Sequence, residues 1–311
     1  MVNGYAASWQ DVCRHPGRRY AHNIPAALVS CKTRPTVGKR LHKLQQAIKW
    51  TVYTLLIVNF SYYVYEDWTR AAHILDAEST LLDLAAEFAT TIDTLAWFIL
   101  LFMFELETYV LDDESWTGWV AHAVRGARVA CYVMLAHTVY AYLMTVMTLS
   151  PSVQVEGVTN LCQMADAEVS YVSNLEYTDV TADSCESLSN ASEYYWIGED
   201  AVVSDMSGLQ LERDLALVDL AEAIIWLLVL AALEIAVRLQ GHGISGGWLL
   251  RSANYTAMGL YASLIAIGVY WATLGHWLYF WDELLWIGGF AAIEMNLDEW
   301  RRDMLGEPEA A

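Results

Sequence analysis

The sequence predicts an all-α integral membrane protein, with six transmembrane helices in three hairpin repeats and a small extracytoplasmic loop domain. Three observations lead to this fold class. The 311-residue chain is 56% hydrophobic and only 17% charged, which is less charge than soluble proteins carry. Its apolar residues fall in long runs, and its basic residues fall in alternate loops.

Six apolar runs are long enough, or nearly so, to cross a bilayer. A membrane-spanning helix needs about 20 mainly apolar residues, because the hydrocarbon core is about 30 Å thick. The runs cover residues 47–65, 91–111, 128–149, 215–238, 254–274 and 281–297. No early apolar region resembles a cleavable signal peptide, so the first run is expected to act as the insertion signal.

The basic residues predict the orientation of the helices, because Lys and Arg stay on the cytoplasmic side. Nine of the 17 Lys and Arg residues lie within 1–49, and 66–90 and 151–214 each contain only one. The other expected cytoplasmic segments supply Arg125, Arg128, Arg238, Arg251, Arg301 and Arg302. We therefore expect a plasma or inner membrane protein with both termini in the cytoplasm.

These features divide the chain into seven segments. A basic cytosolic arm comes first, hairpins and loops follow, and a cytosolic tail ends the chain. The boundaries are 1–46 for the arm, 47–111 for hairpin 1, 112–150 for a cytosolic loop and helix 3, 151–214 for the extracytoplasmic loop, 215–253 for helix 4 and a cytosolic loop, 254–297 for hairpin 3, and 298–311 for the tail.

The 151–214 loop is the expected extracytoplasmic domain. It contains 13 Asp and Glu residues and no Lys, and so holds much of the net charge of −20. Cys162 and Cys185 both lie in it, where an oxidising compartment lets thiols pair. The sequence therefore predicts a Cys162–Cys185 disulfide.

The three returning helices share one pattern: an acid, three residues, a Trp, seven residues and a Glu. It occurs in "DTLAWFILLFMFE", "EAIIWLLVLAALE" and "DELLWIGGFAAIE". Internal repetition at equivalent places in hairpins indicates duplication and pseudo-symmetry. The matched residues are Asp93, Trp97 and Glu105, then Glu222, Trp226 and Glu234, then Asp282, Trp286 and Glu294.

The first two positions of the pattern have local explanations. Asp93, Glu222 and Asp282 are expected near the starts of the returning helices, where the helix dipole favours anions. The tryptophans lie one turn deeper, and Trp is common at membrane interfaces. We therefore expect the acids to stabilise the helix N-termini and the tryptophans to lie at the membrane interface.

The third position has no such explanation. Glu105, Glu234 and Glu294 each lie eight residues after the tryptophan of the pattern. At a rise of 1.5 Å per residue, this is about 12 Å further along the helix. Burying a carboxylate at membrane depth costs about 2.5–3.5 kcal/mol on insertion scales. A cation, a proton or water must compensate this cost.

Two interpretations of these glutamates stay open. In the first, arginines on the inner side form structural Glu–Arg pairs, as the spacing of Glu234 and Arg238 allows. In the second, the three glutamates face one axis and line a path for cations or protons.

Function follows from these two interpretations. The sequence contains no catalytic motif that we recognise, and it predicts neither an enzyme nor a cofactor, metal or nucleic-acid partner. We expect a channel, transporter or ion-coupled subunit that moves cations or protons and contacts membrane lipids. The alternative is a non-catalytic accessory or scaffold subunit of a larger membrane complex or a homo-oligomer.

Overall fold

The computed structural model describes residues 36–75, 79–109, 118–198, 201–241 and 248–290. The chain forms two units, Met1–Thr51 and Val52–Ala311. In the first unit, the described residues from 36 onward are helical. The second unit contains a helical bundle and a small sheet domain.

Most of the described chain is α-helical. The helices are α1 (Thr36–Ile74), α2 (Leu81–Glu87), α3 (Ala89–Tyr109), α4 (Trp119–Leu149), α5 (Cys185–Leu188), α6 (Met206–Gly241), α7 (Trp248–Thr273) and α8 (277–290). Thr80 starts α2 with a capping box, in which its hydroxyl accepts from the Asp83 backbone and the Asp83 carboxylate accepts from the Thr80 backbone.

Three described helices are long and apolar enough to cross a membrane: His122–Leu149, Met206–Ala232 and Arg251–Thr273. The helices α2 and α3, bent by 71° at their junction, would make a fourth span if they are taken together. Large apolar side chains on these helices are exposed, among them Val133, Leu228 and Val269. An apolar exterior of this kind suits lipid better than water.

The sheet domain lies between α4 and α6. Its strands are β1 (Val153–Gln154), β2 (Ser170–Ser173), β3 (Glu176–Asp179), β4 (Tyr195–Trp196) and β5 (Val202–Ser204). The strand order is β1-β4-β5-β2-β3, and only the β2–β5 pair is parallel. The sequence predicted a small extracytoplasmic domain at 151–214, but it did not predict that this domain contains a β-sheet.

The predicted disulfide is present in this domain. Cys162 and Cys185 are bonded, with their Cα atoms 4.8 Å apart. Around it lies a small core that includes Leu161, Tyr194 and Val203, each no more than 2% exposed. A domain this small buries little apolar surface, so a covalent cross-link adds stability that the core alone cannot supply.

The sheet domain is fixed to the bundle by polar contacts. Arg213 of α6 donates to the carbonyl oxygen of Leu149, the last residue of α4, at 2.6 Å and to the hydroxyl of Ser152, just before β1, at 2.8 Å. His73 of α1 lies 3.2 Å from the Asp179 carboxylate and stacks on Tyr177 with ring centroids 5.5 Å apart.

Candidate functional site

The three tryptophans of the repeat pattern meet in the bundle core. The ring centroids of Trp97 lie 5.6 Å from those of Trp226 and 6.4 Å from those of Trp286. Phe290 packs against all three rings. The prediction that these residues serve the membrane interface is wrong, because they form one buried aromatic layer, each no more than 9% exposed.

A cavity of about 120 Å³ lies against this aromatic layer. A cavity needs only about 10–15 Å³ to hold one water molecule, so it has room for several. Seven carboxyl side chains and one arginine line it: Glu66, Asp67, Arg70, Asp93, Asp219, Glu222, Asp282 and Glu283.

Glu222 is not near a helix start, which corrects the expectation from the sequence. Asp93 is the fifth residue of α3 and so lies near the start of its helix, as expected. Helix α6 begins at Met206, sixteen residues before Glu222 (222 − 206). Its polar first turns pack against β2 and β5, so the helix extends far beyond its apolar run.

Asp205 explains why α6 begins where it does. Its carboxylate accepts from the Gly208 amide at 2.7 Å and from the Ser207 hydroxyl at 2.6 Å. Tyr171 donates to the other carboxylate oxygen. Burial alone would raise the pKa of Asp205, but these hydrogen bonds outweigh it and leave the pKa lowered. An ionised cap satisfies the free amides of the first turn.

The spacing of acid and Trp also has a structural explanation. An acid and a Trp four residues apart share one helix face, and the indole N–H of Trp97 reaches the Asp93 carboxylate. Trp286 reaches Asp282 in the same way, and Asn59 donates to Asp282 at 2.8 Å. The pattern therefore places an indole donor beside each of these carboxylates.

The Glu222 copy exchanges these partners between helices. Trp226 donates to Oε1 of Glu283 at 3.2 Å, and Glu222 accepts from Trp271 of α7 at 3.1 Å. The carboxyl groups of Glu222 and Glu283 also lie within hydrogen-bonding reach of each other. Among the described residues, Oε2 of the buried Glu283 has no other partner.

Arg70 neutralises only one side of the cavity. Its guanidinium contacts Asp67 at 3.0 Å and Glu87 at 3.2 Å. The Asp67 carboxylate also accepts from the Thr91 amide and hydroxyl. Six of the seven cavity carboxyl groups form no ion pair that the structure describes, and Asp67 is the exception.

A β-hairpin turn of the sheet domain closes the other end of the cavity. Leu175 lines the cavity, and its amide donates to Glu212 of α6 at 3.0 Å. Asn174 donates to the carbonyl oxygen of Leu274 at 3.1 Å and lies 3.1 Å from Nε2 of His276. Burial lowers the pKa of His276, so its neutral ring is the form expected to donate here.

The pairing of the deeper glutamates with arginines of the inner side stays a prediction. Glu234 lies half-buried near the end of α6, Arg128 is half-buried, and Arg125 and Arg251 are exposed. The side chains of Glu105 and Arg238, and all of Glu294 and Arg301, lie outside the described residues. Their role stays a prediction.

Sequence reasoning missed most of the cavity acids. Glu66, Asp67 and Arg70 were assigned to a loop, because the apolar run ends at 65, although α1 continues to Ile74. Asp219 and Glu283 lie beside pattern residues: Asp219 is three residues before Glu222, and Glu283 directly follows Asp282. Acids within or beside an apolar run were the available signal.

Comparison with known proteins gives no match to this chain, whether with family models, with curated sequences or with solved structures. In the part of the chain described, no group of three or more His, Cys, Asp or Glu side chains is arranged to hold a metal ion. The functional argument therefore rests on the cavity itself.

Proposed function

We propose that this protein moves cations or protons across a membrane, through a path that includes the acidic cavity. One observation carries the proposal: six carboxyl groups without a described ion pair surround a cavity inside a bundle of apolar-surfaced helices. A carboxylate away from water needs a counter-charge, a proton or bound water.

The cost of this arrangement argues against a purely structural role. Buried charges that stabilise a fold are normally paired, as Arg70 is with Asp67 and Glu87. Five of the other cavity acids instead receive indole, amide or hydroxyl donors: Glu66, Asp93, Glu222, Asp282 and Glu283. Such donors orient a carboxylate without neutralising it, so the cavity keeps its attraction for positive charge.

The acids follow a line along α6. Glu212 contacts the hairpin turn, Asp219 and Glu222 line the cavity, and Trp226 belongs to the aromatic layer. From Glu212 to Glu222 the helix rises about 15 Å. The cavity is thus bounded by Leu175 at one end and by the aromatic layer at the other.

The proposal includes the finer architecture expected from the sequence. Six spans in three hairpins would place the sheet domain outside and both termini in the cytoplasm. Glu105, Glu234 and Glu294 would then lie beyond the aromatic layer, about 12 Å further along each helix from the corresponding tryptophan. They would continue the acidic path toward the cytoplasm.

The test is flux of protons, Na⁺ and K⁺ into proteoliposomes that contain the purified chain. The first variant combines Asp93→Asn, Glu222→Gln and Asp282→Asn. The second combines Glu105→Gln, Glu234→Gln and Glu294→Gln. We expect the flux through the first variant to be at least tenfold lower than through the parent protein, because the variant lacks carboxylates that line the cavity.

The matched control combines Asp214→Asn with Glu156→Gln, both exposed positions, and it should keep the flux. Circular dichroism and melting curves establish that each variant folds. A folded first variant with full flux would refute the acidic path. If the second variant keeps flux but melts earlier, its glutamates are structural and the path excludes them.

A further inference from the structure

The Glu222–Glu283 pair is the most unusual contact in the cavity. One carboxyl comes from α6 and the other from α8, and both line the cavity. Glu283 accepts from Trp226, which lies four residues after Glu222 on the same face of α6, and this contact brings the two carboxyl groups within hydrogen-bonding reach. Glu283 is only 4% exposed. Two carboxylates cannot bond to each other, since each offers only acceptor oxygens when ionised. Something positive must lie between them.

The neighbouring donors do not supply it. Trp226 and Trp271 each donate one indole N–H to the pair, and an indole nitrogen has no second proton to offer. Oε2 of Glu283 still lacks a described partner. Leaving such an oxygen unsatisfied costs about 1–3 kcal/mol, and more if it is charged.

Groups on every helix around the cavity affect this pair. The titratable and charged groups facing it are Tyr63, Glu66, Asp67 and Arg70 of α1, Asp93 of α3, Tyr142 of α4, Asp219 of α6, and Tyr279 and Asp282 of α8. Helix α7 contributes Trp271, and the sheet domain contributes Leu175. Arg70 is the single cation in this set, and it is engaged by Asp67 and Glu87.

The ligands around the pair favour one occupant. A Ca²⁺ ion takes about six to eight oxygen ligands, whereas a shared proton needs only the two oxygens that it joins. In the part of the chain described, no group of three or more His, Cys, Asp or Glu side chains is arranged to hold a metal ion. The pair therefore suits a proton better than a metal ion.

We propose that Glu222 and Glu283 share one proton, and that this proton is the species that the cavity takes up and releases. The inference rests on the proposed function and names its cargo. On uptake, an O–H bond forms at one carboxyl and the pair changes from two negative charges to one. On release, the proton passes to cavity water, and Asp219 is the next carboxyl toward the hairpin turn.

The test is infrared spectroscopy of the full chain in lipid vesicles at neutral pH. A protonated carboxyl gives a C=O stretching band that shifts in D₂O. We expect this band in the difference spectrum between the parent protein and Glu283→Gln, and again between the parent and Glu222→Gln. Each Gln amide can donate to the remaining carboxylate, so both variants should fold.

The control Glu156→Gln changes an exposed glutamate of the sheet domain, and its difference spectrum should lack the band. Glu283→Asp keeps the carboxyl but shortens it, so the band should move in frequency without vanishing. No band in either Gln difference spectrum would overturn the shared proton. So would a band that disappears when Na⁺ or K⁺ is added at constant pH.

Flux in the same vesicles separates the two proposals. A band that both Gln variants lose, in a protein that moves neither protons nor cations, would support the shared proton and refute transport. Proton or cation flux without the band would leave transport in place and overturn the shared proton. Proton flux that both Gln variants lose, together with the band, would support both.

Discussion

At the scale of single residues, hydrogen-bond donors decide which form of each side chain is held at the cavity. Indole N–H groups reach Asp93, Asp282, Glu222 and Glu283. An indole N–H can only donate a hydrogen bond. It therefore stabilises the carboxyl oxygen that accepts from it and fixes the orientation of that carboxyl group. The tryptophans therefore both seal the cavity at one end and orient its carboxylates.

His276 predicts how stability depends on pH. Its ring stacks on Tyr279 with centroids 5.2 Å apart and contacts Asn174. Burial lowers its pKa, although the Asn174 backbone and Glu176 act in the opposite direction. The native state thus binds this proton less readily than the unfolded state, whose His titrates near 6.5. Stability from His276 is full above that pH and falls as pH drops below it.

We therefore expect the melting temperature of His276→Gln to fall less than that of the parent protein when the pH is lowered from 7 to 5. The Gln amide keeps a donor for Asn174 but does not titrate in this range. Differential scanning fluorimetry at several pH values measures the slope. His122→Gln, at an exposed histidine of α4, should follow the parent. Equal slopes for the parent and His276→Gln would contradict the assignment.

The sequence predicted some residues of the site but not their role. The repeat pattern selected Asp93, Trp97 and their counterparts, and the structure brings these together. Their position around one cavity was not predicted, because helix dipoles and membrane interfaces explain such residues locally. The exchange of donors between Trp226 and Trp271 depends on how three helices pack, which no spacing along one helix contains.

At the scale of secondary-structure elements, the β2–β3 turn borders the cavity on the side of the sheet domain. Asn174 and Leu175 have φ angles of 57° and 63°, in the left-handed region. This is the geometry of a two-residue hairpin turn, which favours Asn and Gly. A leucine in this conformation costs roughly 1–2 kcal/mol. The same turn brings Leu175 to the lining of the cavity.

Leu175→Gly should raise the rate of flux, because it removes the side chain that narrows this end of the cavity. It also relieves the left-handed strain, so the melting temperature of the sheet domain should not fall. Stopped-flow proton uptake into proteoliposomes measures the rate.

Leu175→Ala provides the matched comparison. It opens the cavity in the same way but keeps a Cβ in the left-handed region, so its flux should rise while its melting temperature stays below that of Leu175→Gly. If neither variant changes the rate, the turn does not limit access.

Helix α6 shows why element boundaries were harder to predict than the membrane class. Hydropathy placed the start of this span at 215, since the residues before it are polar. The Asp205 cap and the contacts with β2 and β5 extend the helix to Met206. The extension aligns Glu212 with the cavity acids, and it depends on a domain whose sheet the sequence did not reveal.

At the scale of the whole molecule, the described helices expose large apolar side chains and enclose a cavity lined by seven carboxyl groups. In soluble proteins, Asp and Glu are almost never fully buried unless they are paired. The sequence predicted helices able to span a membrane, and the described residues contain three of them, or four if α2 and α3 are taken together. Such helices can be predicted because composition and run length depend on the solvent around the protein. The cavity among Asp93, Glu222 and Asp282 depends on tertiary packing, which the sequence did not reveal.

Blocking the cavity with a reagent tests the central claim most directly. Ala223 lines the cavity, whereas Ala221, two residues earlier on α6, is exposed. Each is changed to Cys in a chain with Cys13, Cys31 and Cys131 replaced by Ser. Flux into proteoliposomes is then measured before and after a small cationic thiol reagent is added.

The account predicts that the reagent abolishes flux through Ala223→Cys and leaves flux through Ala221→Cys unchanged. Mass spectrometry reports how completely each cysteine has reacted. Unchanged flux through a fully modified Ala223→Cys would mean that ions do not pass through the acidic cavity.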